Sequence, residues 1–166
     1  MLTLSGVSHA HHVVLRGYVQ SLYRLAECLC PDCLDTPGAL AELAELRAVE
    51  RGLQEQLIPH MNAVEAAVYP SLERIMADRE VSAPMRHEHE EIRRLVDRLG
   101  AIVACEPPLD RATVLVLRRV MLRLHVLLKA HLDEEELYLP VLEGRLTPEG
   151  EAALARALDH LAAARL

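Results

Sequence analysis

The sequence predicts an all-α protein, an up-down-up-down four-helix bundle with a short fifth helix at the C-terminus. Hydrophobic residues recur with a helical period throughout the chain, and no segment alternates as a strand does. Half of the 166 residues are hydrophobic, yet there is no Phe or Trp and there are only four Tyr. The core must therefore be built from Leu, Val, Ile, Ala and Met. At this length we expect one domain spanning residues 1–166.

The first two helices are separated by a loop rich in Cys, Pro and Gly. We predict helix 1 over Ser8–Leu29 and helix 2 over Ala39–Asp78. Thr36-Pro37 offers a capping hydroxyl and a proline at the first helical position, which favours a helix start. Pro59 and Pro70 fall inside helix 2 and should interrupt or bend it.

The second half of the chain contains two further long helices and a short one. Helix 3 is predicted over Ser82–Cys105, because the pair Pro107-Pro108 prevents its continuation. Helix 4 is predicted over Asp110–Glu143, and Thr147-Pro148 opens the fifth helix. Four long helices joined by short links are typical of a bundle.

Charge and hydropathy exclude several classes of protein. A net charge of −7 argues against nucleic-acid binding, which needs a cluster of excess positive charge. No apolar run approaches the length of a membrane span, and the N-terminus does not resemble a signal peptide. We therefore expect a cytoplasmic protein with reduced cysteines and no membrane partner.

Each long helix has an apolar stripe, spaced alternately three and four residues apart, that contains one histidine. These histidines are His12, His60, His89 and His131, and the stripe of helix 4 also contains Glu135. A buried polar group without a partner costs roughly 1–3 kcal/mol, and an unpaired carboxylate costs more. One buried histidine is ordinary in a core, but four with a carboxylate indicate a shared site.

Chain direction is consistent with a single site for these side chains. His12 and His89 lie near the starts of helices 1 and 3, whereas His60 and His131 lie in the later halves of helices 2 and 4. In an up-down-up-down bundle all four then fall in one layer. His131 and Glu135 are about 40° apart around the axis, so both can face one point. Imidazole and carboxylate ligands suit Fe, Mn or Zn; the alternative is a polar layer without metal.

Four segments carry these residues: His11–Leu15, Pro59–Pro70, His87–Ile92 and His131–Pro140. In this order they resemble the hemerythrin-like domain, also called the HHE cation-binding domain, over about residues 8–143. The resemblance implies a non-haem iron centre, usually two irons bridged by carboxylates. It implies binding of or reaction with dioxygen, nitric oxide or peroxide, or storage and delivery of iron. The ligands that it implies are His12, His60, His89, His131 and Glu135.

Helix 2 departs from the family pattern of a histidine followed four residues later by a bridging Glu, because Val64 occupies that position. The nearest acid, Glu65, lies about 140° from His60 in a regular α-helix. A π-bulge would realign it, so Glu65 is kept as a candidate ligand. Without such a bulge the centre holds one metal, holds two weakly, or holds none.

A cysteine cluster and two tyrosines are further candidates. Cys30 and Cys33, close to Cys28, form a Cys-x-x-Cys pair that could be redox-active or bind zinc; the alternative is that they are ordinary loop residues. Tyr18 and Tyr138 could act as proton or electron donors at the site, or simply pack as amphipathic side chains.

We therefore predict a hemerythrin-like non-haem iron protein that binds or senses dioxygen or nitric oxide, with two irons expected and mononuclear Fe, Mn or Zn as alternatives. No nucleophile, general acid or substrate-orienting loop is apparent, so a conventional enzyme is not predicted, although a peroxidase-like or oxidase-like side activity stays open. The alternative functions are iron storage or delivery, stress repair, and a metal-free regulatory module with a redox-active cysteine loop.

Overall fold

The computed structural model describes residues 3–30, 37–105 and 109–163, and every regular element in these ranges is helical. The sequence-based prediction of an all-α chain with five helices is confirmed. Helix α1 is Leu4–Cys28, α2 covers residues 37–76, α3 is Ala83–Val103, α4 is Arg111–Glu143 and α5 is Pro148–Ala163.

Helix α1 begins four residues earlier than the hydrophobic pattern predicts. The hydroxyl of Thr3 accepts a hydrogen bond from the amide of Gly6 and so caps the helix at Leu4. The added turn buries Leu4 and Val7 at the same end of the bundle as His12.

Helix α2 runs past both of its prolines through two widened π-helical turns. Its α-helical segments are Pro37–Gly52, Ile58–Ala63 and Tyr69–Met76, and the π turns are Leu53–Leu57 and Val64–Val68. Pro59 and Pro70 each lie in the first turn of the α segment that follows a π turn. Since proline lacks an amide hydrogen and clashes with the preceding turn, a locally wider helix accommodates it without a break.

The four long helices contact one another in a closed ring: α1 packs against α2 and α4, and α3 packs against the same two helices. Several polar contacts join the end of one helix to the beginning of another. Arg24 of α1 pairs with Glu45 of α2, and Arg47 of α2 donates to the carbonyl of Val103 at the end of α3, 2.8 Å away. Helix α5 covers α1 and the Ile58–Ala63 segment.

The core consists of two apolar clusters with a buried polar layer at their boundary. On α1, Leu4 and Val7 belong to one cluster and Leu15 to the other, with His12 between them. The histidines of the other three long helices stand at the same boundary. Helix α5 contributes Leu154 and Leu158 to the smaller cluster.

Within the described ranges, none of the helices combines the length and the apolar character that a membrane span requires.

Candidate metal centre

The structure brings five of the six candidate ligands into one buried layer, where they form two groups that share a carboxylate. The first group is His12, His60 and Glu135, and the second group is His89, His131 and Glu135. The four histidine side chains are almost fully buried, and Glu135 is 5% exposed.

The shared glutamate directs one oxygen to each group. Its Oε2 lies 3.0 Å from Nε2 of His12 and 3.1 Å from Nε2 of His60. Its Oε1 lies 3.9 Å from Nε2 of His89 and 3.6 Å from Nε2 of His131. The two Nε2 atoms of the second group are 2.9 Å apart.

Three of the histidines have a carboxylate at the opposite ring nitrogen. Nδ1 of His12 lies 3.3 Å from Glu136, Nδ1 of His89 lies 2.6 Å from Glu65, and Nδ1 of His131 lies 2.9 Å from Glu88. An ionised carboxylate only accepts hydrogen bonds, so each Nδ1 carries the hydrogen and each neutral ring keeps a lone pair on Nε2. Outer carboxylates of this kind orient histidine ligands and make them more basic.

Two arginines hold these outer carboxylates in place. Arg16 lies one turn after His12 on α1 and binds Glu136 at 3.1 Å. Arg93 lies one turn after His89 on α3 and binds Glu65 at 2.8 Å. Each arginine therefore offsets the negative charge of an outer carboxylate, next to a layer that already contains the carboxylate of Glu135.

The inner face of the layer is rich in acceptors and poor in donors. The hydroxyls of Ser8 and Tyr69 lie 3.3 Å from the inner nitrogens of His12 and His89 and can donate hydrogen bonds to them. Oε1 of Glu135 is buried and accepts no hydrogen bond. Because converging lone pairs and an orphaned carboxylate oxygen repel one another, a cation in each group would relieve an unfavourable arrangement.

The pKa shifts of Glu135 and His89 favour the charge states that metal binding requires. Burial alone raises the pKa of Glu135, but His60, His12 and His131 outweigh it and hold the pKa well below its ordinary value. Burial lowers the pKa of His89 and favours its neutral form. An ionised carboxylate and neutral imidazoles are the forms that bind metal.

Glu65 is the predicted ligand that the structure does not bring into either group. The expected π turn is present at Val64–Val68, yet Glu65 lies against the outer nitrogen of His89 and Arg93. The hydrogen bond from His89 and the charge of Arg93 lower the pKa of Glu65 to about 2. Glu65 therefore stays ionised and supports a histidine instead of joining the groups around Glu135.

A cavity of about 20 Å³ lies beside Glu135. Val64 lines it, together with Tyr69, Tyr138 and other mostly apolar side chains. A space of this size holds about one water-sized molecule. Val64 thus leaves open space at the position where the family pattern has a carboxylate.

Tyr69 is a site residue that the sequence did not reveal. Its ring stacks on His89 with centroids 5.6 Å apart, and burial together with the charge of Glu135 raises its pKa far above the ordinary value. Tyr138 lines the cavity, whereas Tyr18 packs against Gly52, where an added Cβ would come within 2.3 Å of the Tyr18 ring.

Cys28 and Cys30 lie at the other end of α1 from His12. Cys28 is exposed, Cys30 is partly buried, and neither forms a disulfide with another cysteine that the structure describes. Cys33 lies outside the described residues, so the predicted Cys30–Cys33 pair stays a prediction.

A helical protein whose core gathers four histidines around a shared glutamate belongs to the class of candidate metal-binding proteins. The family model described as the hemerythrin HHE cation-binding domain matches residues 6–142. The chain therefore belongs to this family. Comparison of the chain with curated proteins and with solved structures finds no significant match in either set.

Proposed function

We propose that this protein is a non-haem di-iron protein that binds or senses dioxygen or nitric oxide in its core. His12, His60 and Oε2 of Glu135 would hold one iron, and His89, His131 and Oε1 of Glu135 would hold the other. The observation that carries the proposal is the sharing of Glu135, since one carboxylate with two pairs of histidines provides for two adjacent cations.

The spacing of the donor atoms supports this assignment. Metal–ligand bonds of about 2.1 Å place neighbouring donors of a tetrahedral or octahedral site about 3.0–3.4 Å apart. The donors of the first group lie 3.0–3.1 Å from the shared oxygen, which agrees with this spacing. In the second group the two Nε2 atoms are 2.9 Å apart, whereas Oε1 lies 3.6 and 3.9 Å from them, slightly farther than ligands of one metal would be. Imidazole and carboxylate ligands also accept Mn and Zn, and occupation of one group alone would give a mononuclear centre.

The cavity beside Glu135 offers room for a small ligand. A non-haem iron pair would supply reversible electron donation to dioxygen and a binding position for nitric oxide. The apolar lining contributed by Val64 and its neighbours limits water at this position. The hydroxyl of Tyr69 is oriented toward His89 and can donate a hydrogen bond into the same layer.

Iron storage or delivery is the second candidate function. Val64 in place of a second bridging carboxylate favours it, because fewer anionic ligands hold the metals less tightly.

The test is iron content per chain and the absorption spectrum, after anaerobic loading with Fe²⁺ and then exposure to air. We expect two irons per chain and new near-ultraviolet and visible bands. His131→Ala should lose the iron of the second group, and with it the bands of the iron pair. His87→Ala is the matched control, because His87 is exposed on α3. Less than one iron per chain with an unchanged spectrum would contradict the proposal and favour the metal-free module with a redox-active cysteine loop.

We also propose that α1 to α4 form an up-down-up-down bundle in one domain over residues 1–166. The contacts between Arg24 and Glu45 and between Arg47 and Val103 support antiparallel neighbours. If the four helices form one domain, the chain should unfold in a single cooperative transition. The unfolding curves measured by circular dichroism and by calorimetry should then coincide.

A further inference from the structure

The two groups are built from corresponding positions on two pairs of helices. Helix α1 corresponds to α3, and α2 corresponds to α4. The corresponding residues are His12 and His89, Arg16 and Arg93, His60 and His131, and Glu65 and Glu136. In both pairs the arginine follows its histidine by four residues, and the outer glutamate follows its histidine by five.

The correspondence fails at one outer partner. Nδ1 of His131 lies 2.9 Å from Glu88, the residue immediately before His89. The residue immediately before His12 is His11, which stands where the first group would need that carboxylate. The His11 and His60 rings meet edge to face with centroids 5.6 Å apart.

His60 is consequently the one ligand histidine, among those the structure describes, without an acceptor at its outer nitrogen. Nδ1 of His60 and Nδ1 of His11 are both buried and make no hydrogen bond. The other side of the His11 ring faces Asp159, whose nearest oxygen is 3.9 Å from Nε2.

The missing acceptor changes how well His60 can serve as a ligand. With its hydrogen on Nε2, His60 donates to Oε2 of Glu135 at 3.1 Å and satisfies that oxygen in the metal-free site. To bind a metal through Nε2, it must carry the hydrogen on Nδ1, where no partner receives it. Loss of such an outer hydrogen bond typically costs about 10–100-fold in metal affinity.

We infer that the first group is a labile, exchangeable metal subsite and the second group a tight one, and that His11 is the positioning residue that sets the difference. This inference rests on the proposed two-metal function. In the second group, Glu65 and Glu88 orient both histidines, whereas in the first group Glu136 orients His12 alone. The protein would therefore keep one metal under depletion and give up the other.

The first experiment is a chelator competition on the full chain loaded anaerobically with Fe²⁺ alone. We expect one iron to leave at a chelator concentration roughly 10–100-fold lower than the other. We call the release of iron at the lower chelator concentration the early step and the release at the higher concentration the late step. His60→Ala should abolish only the early step, and His131→Ala should abolish only the late step. Release of both irons in a single step from the unmodified chain would overturn the inference and leave the proposed function intact. Failure to bind any iron would contradict both.

The second experiment supplies the missing acceptor. His11→Glu places a carboxylate at the position that corresponds to Glu88, and we expect it to delay the early step by roughly 10–100-fold. The matched control is His9→Glu, which makes the same change of residue at an exposed position of α1. The reciprocal variant Glu88→His should advance the late step.

His11→Gln covers the case in which a carboxylate at this position prevents folding. Its amide oxygen can accept the Nδ1 hydrogen of His60 without adding charge. If folded His11→Glu and His11→Gln proteins, judged by unchanged helix content, release the first iron as the unmodified chain does, His11 does not set the difference.

Discussion

Glu135 of α4 and Val64 of α2 each follow a candidate ligand histidine by four residues, yet only Glu135 has a side chain that can bind a metal. Glu135 is buried among four imidazoles and reaches both groups. Val64 is equally buried and lines the small cavity beside it. At corresponding positions of α2 and α4, a single side chain therefore decides whether the position offers a candidate ligand or leaves space for a bound molecule.

Removal of the shared carboxylate should have the largest effect, because Glu135 belongs to both groups. Glu135→Gln keeps the shape of the side chain but loses the charge, and we expect both metals to bind at least about 100-fold more weakly. Without metal, the variant should be less stable than the unmodified protein, because the contacts with His12 and His60 favour the ionised carboxylate in the folded chain. Metal content per chain and the metal-free melting temperature measure the two effects.

Glu134→Gln is the control for this variant, because it neutralises the adjacent acid outside both groups. Retention of two metals by Glu135→Gln would show that the two groups do not depend on a shared ligand.

A carboxylate introduced at position 64 of α2 should make this position equivalent to position 135 of α4. Val64→Glu buries a charge at a position that is 4% exposed, so we expect the metal-free protein to lose about 2–4 kcal/mol of unfolding free energy. Two bound metals should recover that loss, because the new carboxylate would bridge them. Chemical unfolding with and without Fe²⁺ measures the difference.

Val64→Leu separates charge from volume, since it occupies the cavity without a carboxylate. If Val64→Glu remains equally destabilised after iron loading, the side chain at this position does not reach the metals.

The sequence predicted the histidines and Glu135 because each of them lies on an apolar stripe with helical spacing. His131 and Glu135 are one turn apart in a helix without irregularity, so their common direction follows from 100° per residue. The outer partners Glu88 and Glu136 could not be predicted in the same way. Their role depends on which ring nitrogen faces outward, and that is fixed by packing between helices.

Tyr69 was missed for a different physical reason. Nine residues separate it from His60, which in a regular α-helix places the two about 180° apart. The π turn at Val64–Val68 adds about one residue to the turn and reduces that angle to about 80°. Glu65 is only the second residue of this π turn, so the turn has not yet changed its direction relative to His60. Its side chain therefore faces α3, where His89 and Arg93 bind it.

Acid should weaken the metal-free protein partly through Glu65. Its pKa is about 2 in the folded chain, below the ordinary value of 4.5, so its contribution is complete above about pH 4.5 and is lost as the pH falls toward 2. Glu65 is partly exposed and screened by solvent, so we expect a contribution of only about 1 kcal/mol. Urea midpoints at pH 7 and pH 3 should differ less in Glu65→Gln than in the unmodified protein.

Glu80→Gln is a suitable comparison for this pH dependence, because Glu80 is an exposed acid away from the layer. An equal reduction of the pH dependence in both variants would show that general charge repulsion, and not the contact with His89, is responsible.

Tyr69→Phe should produce the smallest change, because it removes one long hydrogen bond and leaves the stacked ring in place. The hydroxyl lies 3.3 Å from Nε2 of His89, so we expect the metal-free protein to lose about 0.5–1 kcal/mol of unfolding free energy. In the two-metal protein the same nitrogen would bind a metal and would no longer accept this hydrogen bond. The substitution should therefore destabilise the two-metal protein less than the metal-free protein. Unchanged metal content with faster loss of a bound diatomic ligand would place the hydroxyl at the ligand position beside Val64. A large loss of metal would instead make Tyr69 part of the second group.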